Sequence, residues 1–173
     1  MRNNWKITEK IIGCLLILWG GFYFVISIWV FKNDLDVAFA YSNNSWDDLS
    51  LLKIIKNYHF KLLLPLITLI VGLLLLLKKR LGWLLSVVFT LLWPATLLIH
   101  LWDLYTKILE DDIFEENLVP ICTVIGFISL ILLTMFGLLM TKQIRSNYNP
   151  TIKSWLIMIV LFATLLIDKI LIN

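Results

Sequence analysis

Residues 62–102 read LLLPLITLIVGLLLLLKKRLGWLLSVVFTLLWPATLLIHLW. Two apolar segments flank Lys78-Lys79-Arg80-Leu81-Gly82. A helix rises about 1.5 Å per residue, and the hydrocarbon core of a bilayer is about 30 Å thick. Trp83 to Trp102 is long enough to cross it, with a tryptophan at each boundary, where amphipathic rings settle. Leu62 to Leu77 is shorter, but Lys78 can reach back toward water and lengthen the span. Pro65 falls near its start, where a missing N–H costs least. The stretch predicts a transmembrane helical hairpin with a basic turn.

The rest of the chain agrees. Hydrophobic residues make up 60% of its 173 positions, against about 45–50% in soluble domains. A soluble domain of this size has too much surface to hide that fraction. Three further apolar segments follow the same logic, at about 11–31, 118–140 and 152–172. The predicted fold is all-α: a single domain made of a bundle of five transmembrane helices, with one amphipathic helix on the outer side. The first segment is too long for an ordinary signal-peptide core and reads as an uncleaved anchor. Gly13, Gly20 and Ser27 share one of its faces, which would let another helix approach closely.

The charges orient the bundle. Arg2, Lys6 and Lys10 precede the first span, Lys78, Lys79 and Arg80 form the turn, and Lys142, Arg145 and Lys153 lie in or beside the fourth connection. In a five-span model all three clusters fall on one side, opposed by one acid, Glu9. The positive-inside rule makes that side cytoplasmic and puts the C-terminus outside the cell membrane.

Two outer loops result, 32–61 and 103–117. In the first, Asn33 to Asn44 shows no period and reads as loop. Ser45-Trp46-Asp47-Asp48 resembles a helix-capping box. After it, Leu51, Ile54, Ile55, Tyr58 and Leu62 fall on one helical side, with Ser50, Lys53, Lys56, Asn57 and Lys61 on the other, as in a helix lying at a membrane surface. Asn43-Asn44-Ser45 fits the N-glycosylation pattern. The second loop carries six acids against Lys107. It lacks the alternating ligands and glycine of a calcium loop, so it reads as a solvated acidic segment.

Chemistry is sparse. The sequence contains no metalloprotease helix, nucleophile elbow or phosphate-binding glycine loop. The middles of the spans carry no ionisable side chain, where coupled transporters hold theirs. Cys14 and Cys122 lie near opposite ends of the predicted bundle, about 20 Å apart in height and too far for a disulfide. They read as free thiols filling apolar packing positions. No catalytic group, metal set or cofactor is assigned, and no basic run interleaved with aromatics indicates nucleic acid.

The third span carries the one patterned face. At 100° per residue, Gly82, Ser86, Thr90, Trp93, Thr96, His100 and Asp103 share an arc of about 140°. This is either a helix-packing face or one wall of a small polar cavity, with His100 and Asp103 at its mouth. A second small-residue stripe, Thr123, Gly126, Thr134, Gly137 and Thr141, predicts a packing face on the fourth span. The fifth span has few small residues and should pack on the outside. Asp168 and Lys169 read as an interfacial pair near its end. The expected function is non-enzymatic: an accessory, assembly or immunity-type protein in the lipid bilayer, acting through helix packing or its outer loops on a membrane-protein partner or a second copy. A transporter or channel lined by the third-span face is the alternative, and an enzyme acting on a lipid or quinone is a weaker third.

Overall fold

The structure is a computed structural model. It describes the backbone of residues 2–41, 51–111 and 115–172, and the side chains of 5–40, 58–106 and 119–171. Every element among these residues is a helix: α1 (Arg2–Tyr41), α2 (Leu51–Leu76), α3 (Arg80–Asp111), α4 (Glu115–Met140), the single turn α5 (Lys142–Arg145) and α6 (Ile152–Ile172). Five of them, α1, α2, α3, α4 and α6, are long and apolar enough to cross a membrane.

The helices extend further than the apolar runs. The loop expected from Asn33 onward is helical to Tyr41, so α1 is 40 residues long. That is about 60 Å, twice the thickness of a hydrocarbon core. Apolar periodicity marks only the part of a helix that is buried; the exposed Lys32, Asn33, Asp34 and Asp36 carry none and still continue the i to i−4 ladder. The expected amphipathic helix and second span are one continuous element, α2. Pro65 consequently sits well inside a helix rather than near its start. The capping-box and glycosylation triplets at 43–48 lie outside the described residues, as do the side chains of the acidic segment from 107 to 118.

Close backbone approach builds the first helix pair. A Cβ on Gly20 would lie 2.6 Å from the Leu69 nitrogen and 2.8 Å from the Pro65 carbonyl oxygen. One on Gly72 would lie 2.8 Å from the Gly13 carbonyl oxygen. The small-residue face of α1 thus meets α2 in antiparallel register, residue 13 beside 72 and 76, residue 20 beside 65 and 69.

The turn between α2 and α3 is a Schellman closure. Lys79 N–H donates to the Leu74 carbonyl and Lys78 N–H to the Leu75 carbonyl, with Lys78 in the left-handed region at φ 53°. Gly82 then lies against the backbone of Leu74 and Leu75, where any side chain would collide.

The core is centred on α3. Trp83, Phe89 and Leu92 are fully buried, with Leu16 of α1, Val71 and Leu75 of α2, and Leu139 of α4 around them. Trp83 donates its indole N–H to the Leu139 carbonyl and stacks on Tyr148, 5.7 Å between ring centroids. Arg80 donates to Thr151 and Ser154, tying the start of α3 to the start of α6. These contacts bring the start of α1, the Lys78–Arg80 turn and the 141–151 connection to one end of the bundle. At this basic end Glu9 is buried, with Lys78 as the charge acting on it and Oε1 unpaired among the described residues.

Two expectations are not met within the chain. The stripe on α4 faces away from the bundle: Thr123 and Thr134 are exposed, and a Cβ on Gly126 or Gly137 would meet no described atom within 4 Å. Shared helical phase defines a face but not whether a neighbour occupies it. Cys14 and Cys122 are free, yet Cys14 is exposed on the surface of α1 rather than packed.

Candidate functional site

The patterned face of α3 divides into two parts. In the lower part Ser86 and Thr90 are fully buried, and each hydroxyl donates to its own helix: Ser86 to the Gly82 carbonyl at 2.7 Å, Thr90 to the Ser86 carbonyl at 2.8 Å. They share the phase of Gly82, which touches α2. This is helix packing, with the polar atoms satisfied locally.

Trp93 marks the change. Its indole N–H donates to the Thr68 hydroxyl of α2 at 2.8 Å, and that hydroxyl donates to the Leu64 carbonyl. Its ring joins Trp19 and Tyr23 of α1 in a cluster with centroids 4.5–5.6 Å apart. The Trp19 N–H is buried there without an acceptor among the described residues.

Above this cluster residues of α1, α2, α3 and α6 line a half-open cavity of about 310 Å³. Its apolar wall comes from Ile26, Val30, Leu64, Pro65 and Leu97; its polar groups are Tyr23, Ser27, Tyr58, Lys61, Thr96, His100 and Lys169. Of the residues singled out in the sequence, Trp93, Thr96 and His100 line it. Thr96 is buried with its hydroxyl on the Trp93 carbonyl, whereas His100 is exposed at the rim. Asp103, a turn further along, is exposed and outside the lining. Ser86 and Thr90 lie below the cavity and do not reach it.

The cavity begins beyond the close α1–α2 approach at Gly20. Gly13 and Gly20 hold the two backbones together at the basic end. One further heptad along the same face, Ser27 opens onto the cavity instead. The ring of Phe31 rests edge-on against Tyr58 at 5.1 Å and bridges the helices again beyond it.

Sequence reasoning missed the contribution of α6. Lys169 is buried on the cavity wall, and its ammonium lies 5.9 Å from the centre of the Phe60 ring. Asp168, its neighbour in sequence, turns to α2, with Oδ2 3.1 Å from His59 Nε2. The two side chains therefore act separately rather than as an interfacial pair. Lys61, placed on the polar side of an amphipathic helix, also lines the cavity, its ammonium 4.9 Å from the centre of the Tyr58 ring. A lysine near a helix end reads the same in sequence whether it reaches for water or faces a neighbour; only the packing of α6 on α3 and α2 separates the two.

The arrangement offers cationic and hydroxyl groups above an apolar, aromatic base. It has the size and graded polarity of a small-ligand site. Among the described residues no group of three or more His, Cys, Asp or Glu side chains is placed to hold a metal ion. The chain matches no family model, and neither a curated protein nor a solved structure is significantly similar to it.

Proposed function

We propose that the chain is a non-enzymatic, multi-pass protein of the cell membrane that works by binding. An amphiphilic molecule enters the cavity between α1, α2, α3 and α6 from the side. The carrying observation is the grading of that cavity. Leu64, Pro65 and Leu97 form its apolar wall, while Lys61, His100 and Lys169 stand among its polar groups. A molecule with a polar head and a hydrocarbon body satisfies both at once, and a wholly polar or wholly apolar one leaves part of the lining unmatched. With the basic end cytoplasmic, the cavity lies in the outer leaflet.

Binding fits better than passage. A path along the third-span face would need Ser86 and Thr90, and both are sealed in packing with their hydroxyls on their own backbone. The Trp19–Tyr23–Trp93 cluster stands between them and the cavity.

The test is to fill the cavity. The full chain carrying Ser27→Phe would be released from nanodiscs and its retained amphiphiles weighed by native mass spectrometry. Wild type is expected to keep one amphiphile that the variant loses, with both chains still folded by circular dichroism. Equal retention by the two proteins would refute this reading.

A further inference from the structure

Lys169 is the group in the cavity that most requires an explanation. It is 8% exposed. Its one described contact beyond packing is the face of Phe60. Among the described residues no carboxylate lies within ion-pair distance of it. Asp168 would be the natural counterion, but it is engaged by His59. The two charges that act on Lys169 are Lys61, of the same sign, and Asp103, which stands exposed outside the cavity lining. Lys61 faces the same cavity.

Burying an ammonium is costly unless an anion accompanies it, and a second ammonium nearby raises the cost. The sequence could have avoided both by placing Lys169 one position away, on the outward side of α6. Instead the two lysines converge on a space whose adjoining wall is hydrocarbon. An anion held there would relieve the repulsion and complete the pairing that the protein's own acids leave open.

We propose that the cavity selects an anionic amphiphile. A phosphate or carboxylate head group sits between Lys169 and Lys61, and its tail lies against Leu64, Pro65 and Leu97. The proposal rests on the binding role argued above and names the chemical class of the ligand. A free anion would leave the apolar wall unfilled. A phosphocholine head group carries its own quaternary ammonium beside the phosphate, so it brings no net negative charge to a site that already holds two cations.

The experiment uses the full chain in nanodiscs containing equal amounts of phosphatidylglycerol and phosphatidylcholine with matched acyl chains, read by native mass spectrometry. Wild type is expected to retain phosphatidylglycerol in preference. A charge-assisted hydrogen bond is lost in Lys169→Gln, so that preference should fall about tenfold or more. Lys169→Arg should keep it. Asp103→Asn removes the acid that competes for Lys169 and should raise it, a change opposite in sign that misfolding would not mimic. Inorganic phosphate, which carries the charge without the tail, should not displace the lipid. Retained lipid that mirrors the bilayer composition, a preference unchanged in Lys169→Gln, or displacement by inorganic phosphate would each overturn the proposal. If Ser27→Phe abolishes retention while wild type shows no head-group preference, binding stands and anion selection falls. If Ser27→Phe changes nothing, the cavity itself is not the site.

Discussion

Trp93 of α3 donates its indole N–H to the hydroxyl of Thr68 of α2, 2.8 Å away, and both residues are buried. The bond closes the packed half of the bundle just where the cavity begins. Thr68→Val keeps the shape and removes the acceptor, leaving a buried donor unpaired. Hydrogen bonds between helices in an apolar bundle contribute about 0.6–2 kcal/mol, and a stranded donor adds to the loss. Thr68→Val should therefore lower stability by about 1–2 kcal/mol. Adding Trp93→Phe removes the stranded donor at the cost of packing volume, so the two losses should sum to less than their separate values. A double-mutant cycle on reversible unfolding in mixed micelles measures the coupling; strictly additive losses would show that the bond carries no energy.

Gly82 and Gly126 look alike in sequence, each a glycine in phase with a stripe of small or polar residues. Their surroundings differ completely. Gly82 is pressed against the Leu74 and Leu75 backbone, whereas Gly126 faces outward with no described atom near its Cβ position. A methyl at 82 must push two backbones apart, and overpacking of this kind costs about 1–3 kcal/mol. Gly82→Ala should lower the melting temperature in detergent clearly, while Gly126→Ala should leave it level or raise it slightly through helix propensity. Equal responses would mean that α2 and α3 are less close than described.

How much of this was legible beforehand depends on the kind of information each residue carries. The five helices of spanning length among the described residues, and the course of α6 from 152 to 172, follow from hydropathy, because burial in hydrocarbon demands an unbroken apolar run. The Gly13–Gly20 contact with α2 was legible as a face, since small residues one heptad apart stay in phase. The length of α1 was not, because the exposed Lys32, Asn33, Asp34 and Asp36 interrupt the apolar run while the helix continues. The cavity was half legible: Trp93, Thr96 and His100 share a phase on one helix, but Lys61 and Lys169 enter from two others, and sequence places no helix beside another. Ser86 and Thr90 carried the same signal as Thr96 and proved to be packing.

Lys78 adopts φ 53°, a conformation that costs a side-chain-bearing residue about 1–2 kcal/mol and a glycine almost nothing. It persists at the αL position of the turn while its charge acts on the buried Glu9. Two opposed effects are thus combined in one residue. Lys78→Gly alone should stabilise less than relief of the backbone by itself would, since the charge acting on Glu9 is lost with it. In a Glu9→Gln background the second effect is absent, and Lys78→Gly should then stabilise by about 1 kcal/mol. Unfolding midpoints of the four proteins decide it; the same shift in both backgrounds would show that Glu9 and Lys78 are energetically independent.

The bundle brings three basic clusters to one end, and charge counting assigns that end to the cytoplasm. The assignment matters for ligand access, because with that orientation the cavity of Lys61 and Lys169 would lie in the outer leaflet, and labelling tests it. In a chain carrying Cys14→Ser and Cys122→Ser, a cysteine introduced at the exposed Asn33 should react with a membrane-impermeant maleimide in intact cells. One introduced at the exposed Ser146 should react only after the membrane is opened. Asn33 and Ser146 belong to opposite ends of the same bundle, so their responses must differ whichever way the chain inserts, and the sign of the difference gives the orientation. The reverse pattern would move the cavity to the inner leaflet and leave its two lysines facing the anionic lipids of that side.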